Sequence, residues 1–536
     1  MYNQIGDSRK RAADRCRGSG IILRRIFIRA VSLFLGIFAA VTVTAPAHAS
    51  QRPNIVLIYA DDLGYGDVSI YNPQSRIPTP HIDALARGGT WLRDGHSAST
   101  VCTPSRYALL TGQYAWRTEL RSGVLMPWGQ PVIAPDLVTL PEYLQSAGYD
   151  TALIGKWHLG FEWPWKDSTR PPDAEILQQG WISVARNEQF DWSRHLGGGP
   201  TDHGFAYYFG DDIPNMPPYA WIENDRIVAD RLVDIPRSAL ISVGFTAGIH
   251  GSGPGEPGWQ LDQVMPQLVT RSVDYIADSA RKQTPFFLMV SLTAPHTPVV
   301  PLPEFDGKSG AGTYGDFVVQ TDAAVGSVLD ALDKAGLREN TMVIVTSDNG
   351  PEFTTYRQWR RFGHDSVAGL RGIKSDTWEG GHRVPFVVSW PNGGVDHGRP
   401  NDALIAQLDL YAMISALLNR PLSKGAAPDS VNVLEALLGR DFRGREELVY
   451  HGSRGNLGLR EGRWAFLRGG GFGRLPLPLW SEPKWVRIAR GVRVDGATED
   501  ALYDLVTDPA QRENVIAKFP DVAERLKVRL AEIEGL

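Results

Sequence analysis

Cysteine is almost missing from this 536-residue chain, which has two, Cys16 and Cys102. That scarcity excludes a disulfide-stapled scaffold, and no Cys/His spacing of the zinc type occurs. No apolar run reaches the roughly 20 residues needed to span a bilayer. Basic charge is not in excess either, with 55 Lys+Arg against 60 Asp+Glu. No period of fixed length repeats, which argues against a solenoid or propeller.

What is present begins with a leader. Arg9, Lys10, Arg11, Arg15, Arg17, Arg24, Arg25 and Arg29 precede a short apolar stretch at 30–43, and Ala47-His48-Ala49 offers a small-residue cleavage site. These are the parts of a cleaved signal peptide over 1–49, and no stable membrane anchor is expected. Arg24-Arg25 before the apolar stretch also resembles a twin-arginine export signal. The expected location is periplasmic or secreted. Without the leader the chain keeps 47 basic and 58 acidic residues, a net charge of about −11, and one cysteine, Cys102. Such a chain has no general attraction for nucleic acid or anionic membrane, so an anionic substrate needs positive charge gathered in one pocket.

Apolar runs at 54–59, 151–154, 286–291 and 341–346 each end in polar residues: Asp61-Asp62, Lys156-Trp157-His158, His296, and Asp348-Asn349. Short runs of this kind read as buried parallel strands, whose carboxyl ends are where open α/β sheets bind ligands. Helical patterns lie between them at 264–280 and 317–335. The expected fold class is α/β, with a large, mixed, mostly parallel sheet flanked by helices. A smaller C-terminal antiparallel sheet with a terminal helix follows, from short strands at 448–451, 457–460 and 463–467 and helical periodicity at 521–533. The expected domains are a catalytic one over 50–430 and an α+β one over 431–536. Two oxygen-rich pairs, Asp61-Asp62 and Asp348-Asn349, suit a hard divalent cation; calcium fits best and magnesium stays open.

The lone thiol stands in Val101-Cys102-Thr103-Pro104-Ser105-Arg106, followed by Leu110-Thr111-Gly112-Gln113. Together with Gly155-Lys156-Trp157-His158, Ala294-Pro295-His296 and Lys374 ahead of Glu379-Gly380-Gly381-His382-Arg383, this order resembles the type I sulfatases of the alkaline phosphatase superfamily. The resemblance runs from Pro53 to Pro385, with a fainter echo at Leu502-Tyr503-Asp504-Leu505, and it departs at Gln113, where many relatives carry Arg. It implies that Cys102 is converted to Cα-formylglycine by a formylglycine-generating enzyme. It implies calcium on Asp61, Asp62, Asp348 and Asn349, with the modified residue 102 as a further ligand. Arg106, Lys156, His158, His296 and Lys374 then surround the nucleophile and the sulfate, with Asn215 as a further substrate contact. A formylglycine hydrate has two hydroxyls on one carbon, one to attack sulfur and one to expel sulfate later. His296, assisted by Lys374, is the expected acid for the leaving group, and His158 the base or orienter beside the nucleophile.

The same residues admit other readings. A cysteine phosphatase requires Cys-x5-Arg, whereas Arg106 arrives two positions early. A phosphodiesterase or phosphonate hydrolase of the same superfamily is the stronger rival, and a carbohydrate-binding protein with an inactive pocket is the non-enzyme alternative. The expected substrate is a sulfated small molecule or saccharide, with aryl sulfates as surrogates. The stretch holding Trp163, Trp165, Trp181 and Trp192 reads as a lid with its own small apolar core, ahead of a sugar-stacking surface. The loop with Trp480 and Trp485 reads in the same way.

Overall fold

A computed structural model describes residues 52–166, 185–240, 251–395, 398–471 and 499–535. Trp181, Trp480, Trp485 and the leader lie outside these.

Ten strands form the main sheet. In chain order they are β1 (Asn54–Asp61), β2 (Thr90–Leu92), β3 (Asp150–Gly155), β4 (Tyr207–Gly210), β5 (Ile222–Glu223), β6 (Arg226–Ile227), β7 (Phe286–Pro295), β8 (Thr341–Ser347), β9 (Phe386–Ser389) and β10 (Arg399–Asn401). Their order across the sheet is β10-β2-β9-β8-β1-β7-β3-β4-β5-β6. The run β8-β1-β7-β3-β4 is parallel throughout, and β9, β5 and β6 pair antiparallel, so the sheet is mixed but mostly parallel.

The central strand shows why these segments are strands. Ile55, Leu57 and Tyr59 enter one apolar core while Val56, Ile58 and Ala60 enter the other. A strand buried on both faces has no solvent side to mark with polar residues, hence its unbroken apolar run. One face is covered by α1 (Pro80–Arg87), α4 (Val264–Ser279) and α5 (Gly312–Lys334). The other is covered by α2 (Cys102–Thr111), α3 (Leu140–Ser146) and α7 (Leu410–Leu417). A further helix, α6 (Thr354–Phe362), follows β8.

Four antiparallel strands, β11 (Glu447–His451), β12 (Leu457–Glu461), β13 (Trp464–Leu467) and β14 (Ala501–Asp504), form the second sheet, and α8 (Pro520–Gly535) packs on it. Strand β14 supplies an edge that appears in the sequence only as the short Leu502–Leu505 match. The end of β11 reaches into the main body. The His451 carbonyl accepts from the Thr100 N–H at 2.9 Å and from Ser99 Oγ at 2.8 Å, just before α2 begins.

Of the expected lid's tryptophans among the described residues, Trp163 and Trp165 are interior and Trp192 is half-buried. Trp163 and Trp165 are each 5% exposed and pack with Trp128, Phe161 and Phe190, and Trp192 stacks on Phe190 at 4.6 Å. These three serve as core for their segment, as expected, and present no sugar platform.

Candidate active site

The carboxyl ends of the parallel strands converge. Asp61 ends β1, Lys156 follows β3, His296 follows β7 and Asp348 follows β8. The step from β3 to Lys156 requires glycine: Gly155 has φ +123°, and a Cβ there would lie 1.8 Å from the Ser291 carbonyl oxygen. That close approach lets the Lys156 N–H donate to the same oxygen at 2.9 Å. Cys102 opens α2, and Arg106 stands one turn on, so both side chains share a face of that helix.

Contacts join nearly all of the candidate residues. Lys156 Nζ donates to Asp61 Oδ2 at 2.7 Å, and Lys374 Nζ donates to both oxygens of Asp62 at 2.7 and 2.9 Å. Lys374 Nζ also lies 3.3 Å from Cys102 Sγ, which is 3.6 Å from Asp61 Oδ1. Arg106 donates to Asp348 Oδ2 at 2.9 Å and to Ser291 Oγ at 2.7 Å, and it lies 3.5 Å from Asp61 Oδ1. Asn349 Nδ2 donates to Asp62 Oδ1 at 2.6 Å. His296 Nε2 stands 3.7 Å from Asp62 Oδ2, while its Nδ1 is 2.5 Å from the Thr297 carbonyl oxygen. That carbonyl makes Nδ1 the protonated nitrogen and leaves the Nε2 lone pair facing the cluster.

The side chains of Asp61, Asp62, Asp348 and Lys156 are 0% exposed, whereas those of Lys374 and His296 retain 11% and 13%. Lys374 and His296 therefore form the mouth of the pocket. His158 is held by its surroundings: its φ is +57°, its N–H donates to Asp212 Oδ1 at 3.1 Å, and its Nε2 is 3.0 Å from the Leu125 carbonyl oxygen. Nε2 is thus the donor, and Nδ1 is a buried acceptor with no partner among the described residues. Asn215 is buried on the loop after β4, beside Pro214, which shares a small cavity with His296.

Burial and charge set the protonation pattern. Burial, and then Asp348, push the Cys102 thiol up to about 12. Burial alone would raise Asp61, but Lys156, His296 and Arg106 hold it well below the usual carboxylate range. Burial would neutralise Lys374, yet Asp62 keeps it charged, and Asp61 does the same for Lys156. Burial and then Lys374 push His296 down to about 4; burial and Lys156 depress His158. Burial and Asp61 push Asp348 up to about 7.

The donor set fits a hard divalent cation. One ligand atom each from Asp61, Asp62, Cys102 and His296 lies within 4.8 Å of the others. Asn349 Oδ1 is buried without a hydrogen-bond partner among the described residues, an orphan acceptor beside Asp62. Carboxylate and amide oxygens of this kind suit calcium or magnesium better than a soft metal. A second group, Asp94, His96 and Glu379, has the same donor types, but Arg383 and Arg460 pair with both of its carboxylates and balance its charge.

Three supporting residues escaped the sequence reading. Ser291 grips Arg106 from inside β7. Asp212 pins the His158 backbone. Glu352, pushed up to about 7 by burial and Asp62, accepts from Thr297 Oγ1 at 3.2 Å beside His296. Ser291 ends the apolar run at 286–291, and Glu352 follows Asn349 by three positions, so both stood near readable signals.

Acidic and amide oxygens at parallel strand exits, ringed by fixed cations around one side chain at a helix start, define a site built to hold an anionic ester beside a nucleophile. Known proteins narrow this. The sulfatase family profile matches residues 53–419. The chain is 31% identical to an N-acetylgalactosamine-6-O-sulfatase of Bacteroides thetaiotaomicron, covering 90% of this chain and 94% of the relative. It is 31% identical to human arylsulfatase A, covering 92% and 89%. A solved structure from work on glycosaminoglycan metabolism by Bacteroides thetaiotaomicron superposes with a TM-score of 0.77 at 30% identity, covering 91% of this chain and all of that one. The chain belongs to the sulfatase family and is a sulfuric ester hydrolase.

Proposed function

We propose that this protein is exported and removes sulfate from a sulfated saccharide, using a formylglycine made from Cys102 and a calcium ion. The observation that carries this reading is the position of Cys102 Sγ, 3.3 Å from Lys374 Nζ and 3.6 Å from Asp61 within the cation–carboxylate cluster. In the structure residue 102 is the thiol, and its sulfur marks where the hydrated aldehyde would project. When formed, that hydrate supplies one hydroxyl to attack sulfur and a second whose deprotonation releases sulfate. Asp61, Asp62, Asp348 and Asn349 would hold the metal, which supplies Lewis-acid stabilisation of negative charge. The saccharide assignment draws on the hexosamine sulfatase among the relatives.

The chain's own residues divide the remaining work. Arg106, Lys156 and Lys374 balance Asp61, Asp62 and Asp348, so an added divalent cation leaves a positive pocket suited to a sulfate ester. Lys374, at the mouth and held charged, meets the incoming sulfuryl oxygens. His296 is neutral when the pocket is empty. An anionic oxygen beside Nε2 favours its protonated form, so it takes up a proton with the substrate and donates it to the departing sugar oxygen. His158, neutral with Nδ1 bare, accepts from the nucleophile and orients it.

The test is peptide mass spectrometry at Cys102, on protein co-produced with a formylglycine-generating enzyme, together with turnover of matched sulfate and phosphate esters. Thiol-to-aldehyde conversion accompanied by sulfate turnover supports the proposal. Faster phosphate than sulfate hydrolysis by the converted protein refutes it.

A further inference from the structure

A cavity of about 400 Å³ lies outside the cluster and plays no part in the chemistry above. Its size is that of a small-ligand site. Two of its walls are chained to the active site. Val299 follows His296 by three residues, and α6 follows Glu352, whose carboxylate accepts from Thr297 on one side and from Thr354 at 2.8 Å on the other. The third wall is the start of α5. Gly312, with φ +66°, is needed there, because a Cβ would come within 2.5 Å of the Phe362 ring that closes the cavity.

The lining suits a saccharide. Thr313, Thr354, Gln358 and Arg361 offer hydrogen bonds beside the rings of Tyr314 and Phe362. Gln358 Oε1 is buried and has no hydrogen-bond partner among the described residues. The charge is distinctive as well. Asp316, the acidic residue on the wall, is occupied by the N–H groups of Gly307 and Ser309 at 3.1 and 2.8 Å. Arg361 is exposed and has no carboxylate partner among the described residues; its recorded contact is its own neighbour, the Phe362 ring, at 5.2 Å. Arg76 is exposed too, equally without such a partner, and its guanidinium reaches the Gly363 position next to Phe362. Asp316 keeps its negative charge, so two arginines without a carboxylate partner leave this cavity net positive by about one charge, against the acidity of the chain.

We infer that this cavity is a subsite for the sugar unit next to the sulfated one, and that Arg361 and Arg76 select a unit bearing its own negative charge, a carboxylate or a second sulfate. The inference rests on the sulfate-ester reading for its orientation, and binding tests it separately. Calorimetry on the full-length Cys102→Ala protein would compare a sulfated hexosamine with three disaccharides in which it is linked to a neutral hexose, a hexuronate or a second sulfated sugar. One of the charged disaccharides, and the comparison tells which, should bind at least about tenfold tighter than the neutral one, as a charge-assisted contact provides. Adding Arg361→Ala and Arg76→Ala should abolish that preference and leave the hexosamine affinity unchanged. A preference that survives both substitutions, an equal loss for the monosaccharide, or no preference at all overturns the inference. Turnover of 4-nitrophenyl sulfate by matured protein carrying only the two arginine substitutions should match its parent. A parent inactive on every sulfate sinks the proposed function while the binding comparison still reports on the cavity.

Discussion

Removing and restoring the divalent cation is the perturbation with the most direct consequence. Both oxygens of Asp62 are covered by Lys374, and one of them also by Asn349 Nδ2. A cation binding there takes over carboxylates that are 0% exposed in the native state and scattered in the unfolded chain, so binding stabilises the native state. At a free concentration one hundred times the dissociation constant the gain is about 2.7 kcal/mol. The roughly 485 residues of Arg52–Leu536 unfold with an entropy of about 1 kcal/mol/K. The expected rise in Tm is therefore about 3 °C over protein held in chelator. Scanning calorimetry at fixed ionic strength, with calcium and magnesium titrated in turn, reads it directly. Asp62→Asn should remove most of the shift. No shift with either ion, or the same shift in the Asp62→Asn protein, would refute the argument.

Three further outcomes follow from the same geometry. Unmodified Cys102 is 2% exposed with its thiol pushed up to about 12, so at pH 8 only about one molecule in ten thousand is thiolate; iodoacetamide labelling read by mass spectrometry should be at least about a hundredfold slower in native protein than in urea, and equal rates would contradict the burial. His382, stacked 3.8 Å from Tyr450 and held well below the ordinary histidine value by burial and His96, binds fewer protons folded than unfolded. Its contribution is complete above pH about 6.5 and is lost as pH falls below that, so the Tm gap between wild type and His382→Gln should narrow from pH 8 to pH 5, and a constant gap would count against it. Gly155→Ala drives a Cβ into the Ser291 carbonyl and should cost at least about 3 kcal/mol, measured as a lower Tm and soluble yield; wild-type behaviour would show that the strand exit relaxes.

The parts of this molecule written in local pattern were readable in advance. Strands β1, β3, β7 and β8 announce themselves because burial on both faces demands unbroken apolar runs, and the polar residues that end them are the ones that meet. The same logic fails for β2, three residues long, and for the two-residue strands β5 and β6, which carry no period. Ser291 and Asp212 illustrate another limit. Each acts by holding a residue from a different strand exit, and only the packed sheet reveals which exit lies next to which. Glu352 carries no local pattern of its own, and only the packing of β7 and β8 on either side of β1 brings Thr297 to it.

The grip of β11 on the segment before α2 has a temporal side. The His451 carbonyl fastens Ser99 and Thr100, Ser453 N–H donates to the carbonyl of Ser375 next to Lys374, and Lys374 reaches Cys102 across 272 positions of chain. A ribosome makes Cys102 first and His451 roughly 350 residues afterwards, which at about 5–20 residues per second takes about 20–70 s. Throughout that interval the clasp does not exist, and the thiol that the finished fold hides is within reach. Any enzyme that alters residue 102 works against this clock, and slowing synthesis between the two points should raise the fraction altered.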